Sequence, residues 1–128
     1  MTIAEVAKKY DLSTDTLRYY ERIGLVPPVT RTASGIRDYK EKDIGWVEFI
    51  KCMRGAMVSI ESLVEYVSLF SKGASTHEAR KAILVEEYEA LLARIETMQK
   101  GADRLKYKIE NYDEIMKNTE AKLRKEES

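Results

Sequence analysis

From residue 84 onward, ten side chains recur at alternating steps of four and three: Leu84, Tyr88, Leu91, Ile95, Met98, Ala102, Leu105, Ile109, Tyr112 and Met116. Nearly five heptads of apolar seam specify a coiled coil. Most of the residues between them are Glu, Lys, Arg, Asp or Gln. A helix from Thr76 to about residue 118 would run roughly 60 Å at 1.5 Å per residue. A stripe that long finds no burial on one small domain, so the helix needs a partner, and the economical partner is a second copy of the chain. Leu84, Tyr88, Leu91, Ile95, Met98, Leu105, Ile109 and Tyr112 are the dimerisation candidates. The spacing leaves the orientation of the pair open. Residues 119–128 are dominated by Glu and Lys and read as a flexible tail.

The other end of the chain reads as two short helices joined by a tight turn. Thr2 and Glu5 have capping-box spacing, and Ile3, Val6 and Ala7 share one face. Ser13 is a natural N-cap for a second helix and Gly24 a natural stop. With Leu17 and Ile23 directed inward, Thr14, Thr16, Arg18 and Tyr19 or Tyr20 are left to face outward. These side-chain types contact phosphates and base edges when a helix lies in the major groove of DNA. Pro27-Pro28 ends any further helix. The Ser34-Gly35 pair then suits a hairpin turn, with Ile36 and Tyr39 anchoring flanking strands. Residues 18–40 hold five Lys or Arg against two acidic residues, in a chain otherwise balanced at 22 of each sign. A local basic excess beside an outward polar helix is the electrostatic footprint of phosphate binding.

The run Thr16-Leu-Arg-Tyr-Tyr-Glu-Arg-Ile-Gly-Leu25, followed by Pro28, Arg31, Gly35, Arg37 and Tyr39, closely resembles the DNA-binding domain of MerR-type transcriptional regulators. The resemblance covers about the first seventy residues. It implies a mainly α fold: a winged helix-turn-helix, then a long dimerisation helix forming an antiparallel coiled coil. By this analogy Arg18 and Tyr19 contact bases or nearby phosphates, the Ser34 hairpin is the wing, and Tyr20, Arg31, Arg37 and Tyr39 hold the DNA backbone. The implied partners are a second copy of the chain, a two-fold-related site on double-stranded promoter DNA, and RNA polymerase. The implied mechanism is promoter distortion, in which bending and untwisting bring two widely spaced promoter elements within reach of polymerase.

A second helix pair follows on independent grounds. Ile44, Val47 and Ile50 recur at helical steps, with Trp46, Phe49 and Met53 widening the face, until Gly55 interrupts. Ser59 then caps a stretch whose Ile60, Leu63, Val64, Val67 and Phe70 form a buried stripe. Gly73 ends it, and Ser75 with Glu78 offers a capping box for the long helix. The expected organisation is a DNA-binding domain over residues 1–72, a coiled-coil helix over 76–118, and the tail.

Several classes are excluded. The sequence has a single His, at position 77, no Gly-rich phosphate loop and no clustered carboxylates on an apolar face, so neither enzyme nor cofactor is expected. No apolar run approaches the roughly eighteen residues of a membrane span, and no signal-like segment opens the chain, which predicts a cytoplasmic protein without a membrane partner. The paired or triple cysteines of metal-sensing MerR members are missing, and no metal site is expected. One cysteine remains, Cys52, near the end of the third helix. Free cysteine is often a buried small hydrophobe. A reactive thiol needs access and nearby positive charge, for which Lys51 and Arg54 are the candidates, whereas a helix C-terminus acts against the thiolate. A lone cysteine in this helix is similar to the thiol-sensing NmlR/AdhR-type branch of the family. That likeness implies a response through Cys52 to aldehydes, other electrophiles, or oxidative and nitrosative stress. An effector-independent architectural DNA-binding dimer is the alternative.

Overall fold

The computed structural model describes residues 1–127, with side-chain environments through Arg124. Six helices follow in order: α1 (Ile3–Lys9), α2 (Thr14–Arg22), α3 (Glu41–Gly55), α4 (Ile60–Ser71), α5 (His77–Glu110) and α6 (Tyr112–Glu127), with a 3-10 turn at Ala74–Thr76 before α5. The chain divides into two compact units, Met1–Tyr88 and Glu89 onward. No element is a strand among the described residues.

Local chemistry sets the helix ends of the first unit. The Glu5 amide donates to Thr2 Oγ1 at 3.1 Å and the Thr2 amide donates to Glu5 Oε1 at 2.9 Å, completing the capping box. Ser13 Oγ accepts from the Thr16 amide at 2.9 Å and starts α2. At its other end Gly24 takes φ +81°, while the Leu25 amide reaches Tyr20 O and the Gly24 amide reaches Glu21 O. That Schellman closure needs a left-handed residue, which glycine adopts without a Cβ clash.

The α3–α4 turn closes the same way but around a different residue. Gly55 stays helical, and Met57 takes φ +69°, with Val58 N donating to Met53 O and Met57 N to Arg54 O. Ser59 Oγ then accepts from the Ser62 amide at 3.2 Å and donates to Glu87 Oε1 at 2.9 Å, so the α4 cap also ties α4 to α5. The expected Ser75–Glu78 box is replaced by the 3-10 turn, in which Thr76 Oγ1 donates to the carbonyls of Leu69 and Gly73.

One core holds the first unit together. Val6, Leu17, Leu25, Tyr39, Val47, Ile50 and Leu63 are almost fully buried, drawn from α1, α2, the segment after it, α3 and α4. Trp46, Phe49 and Met53 pack against this core as the widened α3 face predicts. Phe70, placed in the buried stripe by spacing, is instead 46% exposed. Asp43 is buried in the first turn of α3, where its carboxylate accepts from the amides of Lys40 (2.9 Å) and Thr30 (3.4 Å).

The hairpin expected at Ser34-Gly35 forms as a turn with a single antiparallel bridge, Arg31 to Arg37, rather than as two strands. Gly35 takes φ +86° and its amide donates to Thr32 O. Ile36 is 64% exposed and anchors nothing, so the turn has no apolar face on which to extend a ladder.

The long helix is two helices. α5 ends at Glu110, one residue before Asn111, whose side-chain Nδ2 donates to Tyr107 O at 2.9 Å alongside its own amide. A side chain competing for the ladder carbonyl is a recognised source of helix interruption. Tyr112 and Met116 therefore lie on α6, and the residues read as a flexible tail are helical through Glu127. Tyr88, Ile95, Met98, Leu105, Ile109 and Tyr112 are between 52% and 72% exposed in the single chain. Ile83, one position before the seam begins, is the residue of α5 that is buried.

These assignments rank two substitutions. Ser13→Ala removes one cap bond and is expected to cost about 0.5–2 kcal/mol. Leu63→Ala opens the centre of the core and is expected to cost about 2–5 kcal/mol. Chemical denaturation of both variants checks the order.

Candidate nucleic-acid interface

Three elements bring the basic residues together: α2, the Arg31–Arg37 turn, and the chain between them. Arg18 stands on the outer face of α2, with Nη1 donating to Asp15 Oδ1 at 3.0 Å and to Thr14 Oγ1 at 3.3 Å. The Arg18–Asp15 pair is 49% and 94% exposed, so an incoming phosphate or base edge displaces it at little cost. Tyr19 is exposed, with the Arg22 guanidinium 5.4 Å from its ring centroid. Thr16 Oγ1 lies 2.8 Å from Ser13 Oγ and belongs to the cap, which leaves Thr14 as the better-placed threonine.

The turn is not a free arm. Glu21, 12% exposed, holds it against α2: Oε1 accepts from Arg37 Nε at 2.7 Å and lies 3.6 Å from Arg31 Nη2, while Oε2 accepts from the Val29 amide at 2.8 Å. Arg31 Nη1 also donates to Gly35 O at 2.9 Å, and the Thr32 and Ser34 hydroxyls lie 3.0 Å apart at the tip. One carboxylate thus orients two guanidiniums and leaves their net charge positive. Burial pushes the Glu21 carboxyl up, yet the hydrogen bonds from Arg37 and Val29 and the two arginine charges outweigh it and hold it below its ordinary value of 4.5.

Of the residues named from sequence, Arg18, Tyr19, Arg31 and Ser34 are exposed, Thr14 and Arg37 are partly covered, and Glu21 joins Arg31 and Arg37 to α2. Tyr20 is half-buried against the core. Tyr39 does not join them. It is 2% exposed, and its hydroxyl is buried with no hydrogen-bond partner, so its ring serves the core and a phosphate cannot reach it here. Sequence reasoning missed Glu21 and Asp15, whose spacing to Arg18 and the turn arginines was the available signal. Cys52 lies apart, on α3, and its side chain is exposed rather than packed. Lys51 Nζ donates to Tyr10 O and Arg54 Nη1 to Val58 O, so both flanking cations are engaged by backbone carbonyls.

The Glu21 contact carries a pH signature. A carboxyl with a lowered folded pKa contributes stability above its ordinary pKa and loses it as pH falls through the folded value. Wild type is expected to exceed Glu21→Gln by about 1.5–3 kcal/mol near neutral pH, the usual worth of hydrogen bonds to a charged group. The gap should close as pH drops well below 4.5, which paired melting curves will show.

Comparison with known proteins agrees with this geometry. The MerR family regulatory protein domain matches residues 2–39. The HTH-type transcriptional regulator AdhR of Bacillus subtilis is 61% identical over 92 residues, covering 72% of this chain and 66% of AdhR, just under two thirds of its length. A MerR family transcriptional regulator from Listeria monocytogenes has a solved structure with TM-score 0.78 and 42% identity, covering 100% of this chain and 99% of that one. The structure of HiNmlR, a MerR family regulator lacking the sensor domain and bound to promoter DNA, matches with TM-score 0.71 and 27% identity over 88% of this chain and 90% of its own. No described helix is long and apolar enough to cross a membrane. With the relatives named as transcriptional regulators and the likeness running the length of the chain, this protein belongs to the MerR family of DNA-binding transcriptional regulators.

Proposed function

We propose that the chain acts as a homodimer on a two-fold-related promoter site, distorts that DNA so that RNA polymerase can engage it, and takes its signal through Cys52. The observation that carries the DNA part is the Glu21-held pairing of α2 with the Arg31–Arg37 turn, on a fold matched by HiNmlR, itself solved on promoter DNA. Arg18 reads a base edge or adjacent phosphate, Tyr19 and Thr14 flank it, and Arg31, Ser34 and Arg37 grip the backbone. The exposed seam on α5 and α6 supports the dimer, because isolated apolar residues at heptad spacing are stable only when paired. Two copies place two α2 helices on DNA, and a strong bend over a site of that size costs of order 1–6 kcal/mol. An effector need only favour one of two dimer conformations by a comparable differential binding energy. Support for Cys52 as the receiver is its exposure, which gives an electrophile access to the sulfur.

The DNA assignment is tested by two variants. Arg18→Ala is expected to cost about 1–3 kcal/mol on the specific site and to relax discrimination at one position per half-site. Arg31→Ala should weaken all sequences alike and flatten the salt slope by about one unit. Gel shifts over a salt series separate the two behaviours, and identical behaviour would reassign α2.

The sensing assignment is tested by Cys52→Ser and Cys52→Ala. An exposed position predicts stability changes within about 0.5 kcal/mol for both. Promoter output across an aldehyde or oxidant titration should lose its inducible component while basal DNA affinity persists. Full induction in Cys52→Ala would leave an architectural or otherwise triggered dimer.

A further inference from the structure

A groove of about 250 Å³ opens among α3, α4 and the start of α5, with no residue of α2 in its lining. Its walls are aromatic. Trp46 meets Phe70 edge-on at 4.9 Å between centroids, and Phe49 lies 5.1 Å from Tyr66. Arg80 spans the rim, its guanidinium 5.2 Å from the Phe70 centroid and 5.6 Å from that of Tyr66, with Nε donating to Thr76 Oγ1 at 3.1 Å. Lys42 also borders the groove. Neither cation forms an ion pair with a described residue. The floor includes Gly45, in the interior of α3, where glycine weakens a helix and where an added Cβ would meet nothing within 4 Å. No turn and no close backbone approach requires glycine at that point. What its missing side chain does is keep the groove open.

We infer that this groove binds a flat aromatic carboxylate of one or two rings. The volume lies below the roughly 300–1,000 Å³ of drug-sized sites, which limits the ligand to that size. Ring faces and edges at mixed angles suit an aromatic body. A guanidinium laid over rings keeps its N–H edge free in its own plane, and that edge matches a carboxylate in a bidentate fashion. The Lys42 ammonium adds a second positive charge without geometric demand. An aromatic cation is disfavoured by the same two charges, and a neutral arene leaves both unpaired. Because the walls come from three helices, an occupant joins α3, which follows directly on the Arg31–Arg37 turn, to the helix that carries the seam. The site is independent of the Cys52 reading, since it involves no thiol chemistry.

Trp46 is the chain's single tryptophan, so its fluorescence reports on the groove directly. The full chain, in wild-type and Cys52→Ala forms, is titrated with 2-naphthoate and indole-3-carboxylate, and in parallel with 2-naphthamide as the neutral isostere, using binding calorimetry as a second readout. Saturable binding of the acids is expected in both forms, weakened about tenfold or more for the amide and for Arg80→Gln, as loss of a charge-assisted bidentate contact implies. Gly45→Leu projects a side chain into the groove from a position where an added Cβ meets nothing within 4 Å, and it should abolish binding with circular dichroism unchanged; this variant and the amide keep the test valid if Arg80→Gln disturbs the α4–α5 junction. Equal binding of acid and amide overturns the inference. So does the absence of saturation at millimolar acid, whether the face is empty or covered by a second copy of the chain. Loss of electrophile induction in Cys52→Ala with acid binding intact would show the two sites to be separate.

Discussion

The surface that α2 forms with the Arg31–Arg37 turn depends on one carboxylate. Glu21 lies on the inner side of α2, and its two oxygens reach Arg37, Arg31 and the Val29 amide. The turn that carries those arginines has one bridge and no apolar face, so its own ladder cannot fix it. Without Glu21 the two guanidiniums would repel each other beside a half-formed hairpin. With it, α2 and the turn stand as a single surface, and the positive charge left over faces solvent. Order at this surface thus comes from a partly buried electrostatic contact, with Glu21 12% and Arg37 23% exposed, shielded enough for it to count.

The rest of the first unit supports that contact. Tyr39 closes the turn from below and is buried among the residues that anchor α1 and α2. Asp43 accepts from the Lys40 and Thr30 amides and so joins the start of α3 to the segment leading into the turn. Cys52 and four of the groove residues, Lys42, Gly45, Trp46 and Phe49, lie on α3.

What could be read from the chain was what is local. The Thr2–Glu5 box, the Ser13 and Ser59 caps and the Gly24 stop each involve residues within a few positions, and all stand as expected. The heptad seam was legible for the same reason, since periodicity is a property of the sequence itself. Features set by tertiary contact were not. Met57 holds the left-handed position that Gly55 seemed placed to fill, because the Val58 and Met57 amides close the turn two residues later. Phe70 fits a buried stripe by spacing yet lines an open groove, where it meets Trp46 of α3 edge-on and Gly45 adds no side chain beside it. Tyr39 carries a residue type suited to phosphate contact, and only the folded core shows that its hydroxyl faces inward. The one-residue break between α5 and α6 falls at Asn111, whose side-chain amide shares the Tyr107 carbonyl with its own backbone N–H, and no apolar pattern records it.

The claim at the centre of this account is that Glu21 makes α2 and the turn one surface. Amide hydrogen exchange on the free protein measures it residue by residue. The Val29, Thr32 and Asp38 amides donate to Glu21, to Ile36 O and to Thr30 O respectively. In Glu21→Gln these three should lose protection together, while the amides of Val6, Ile50 and Leu63 in the core keep theirs. Unchanged protection at Thr32 and Asp38 would show that the turn is fixed by its own hydrogen bonds, and the account of the surface would fail.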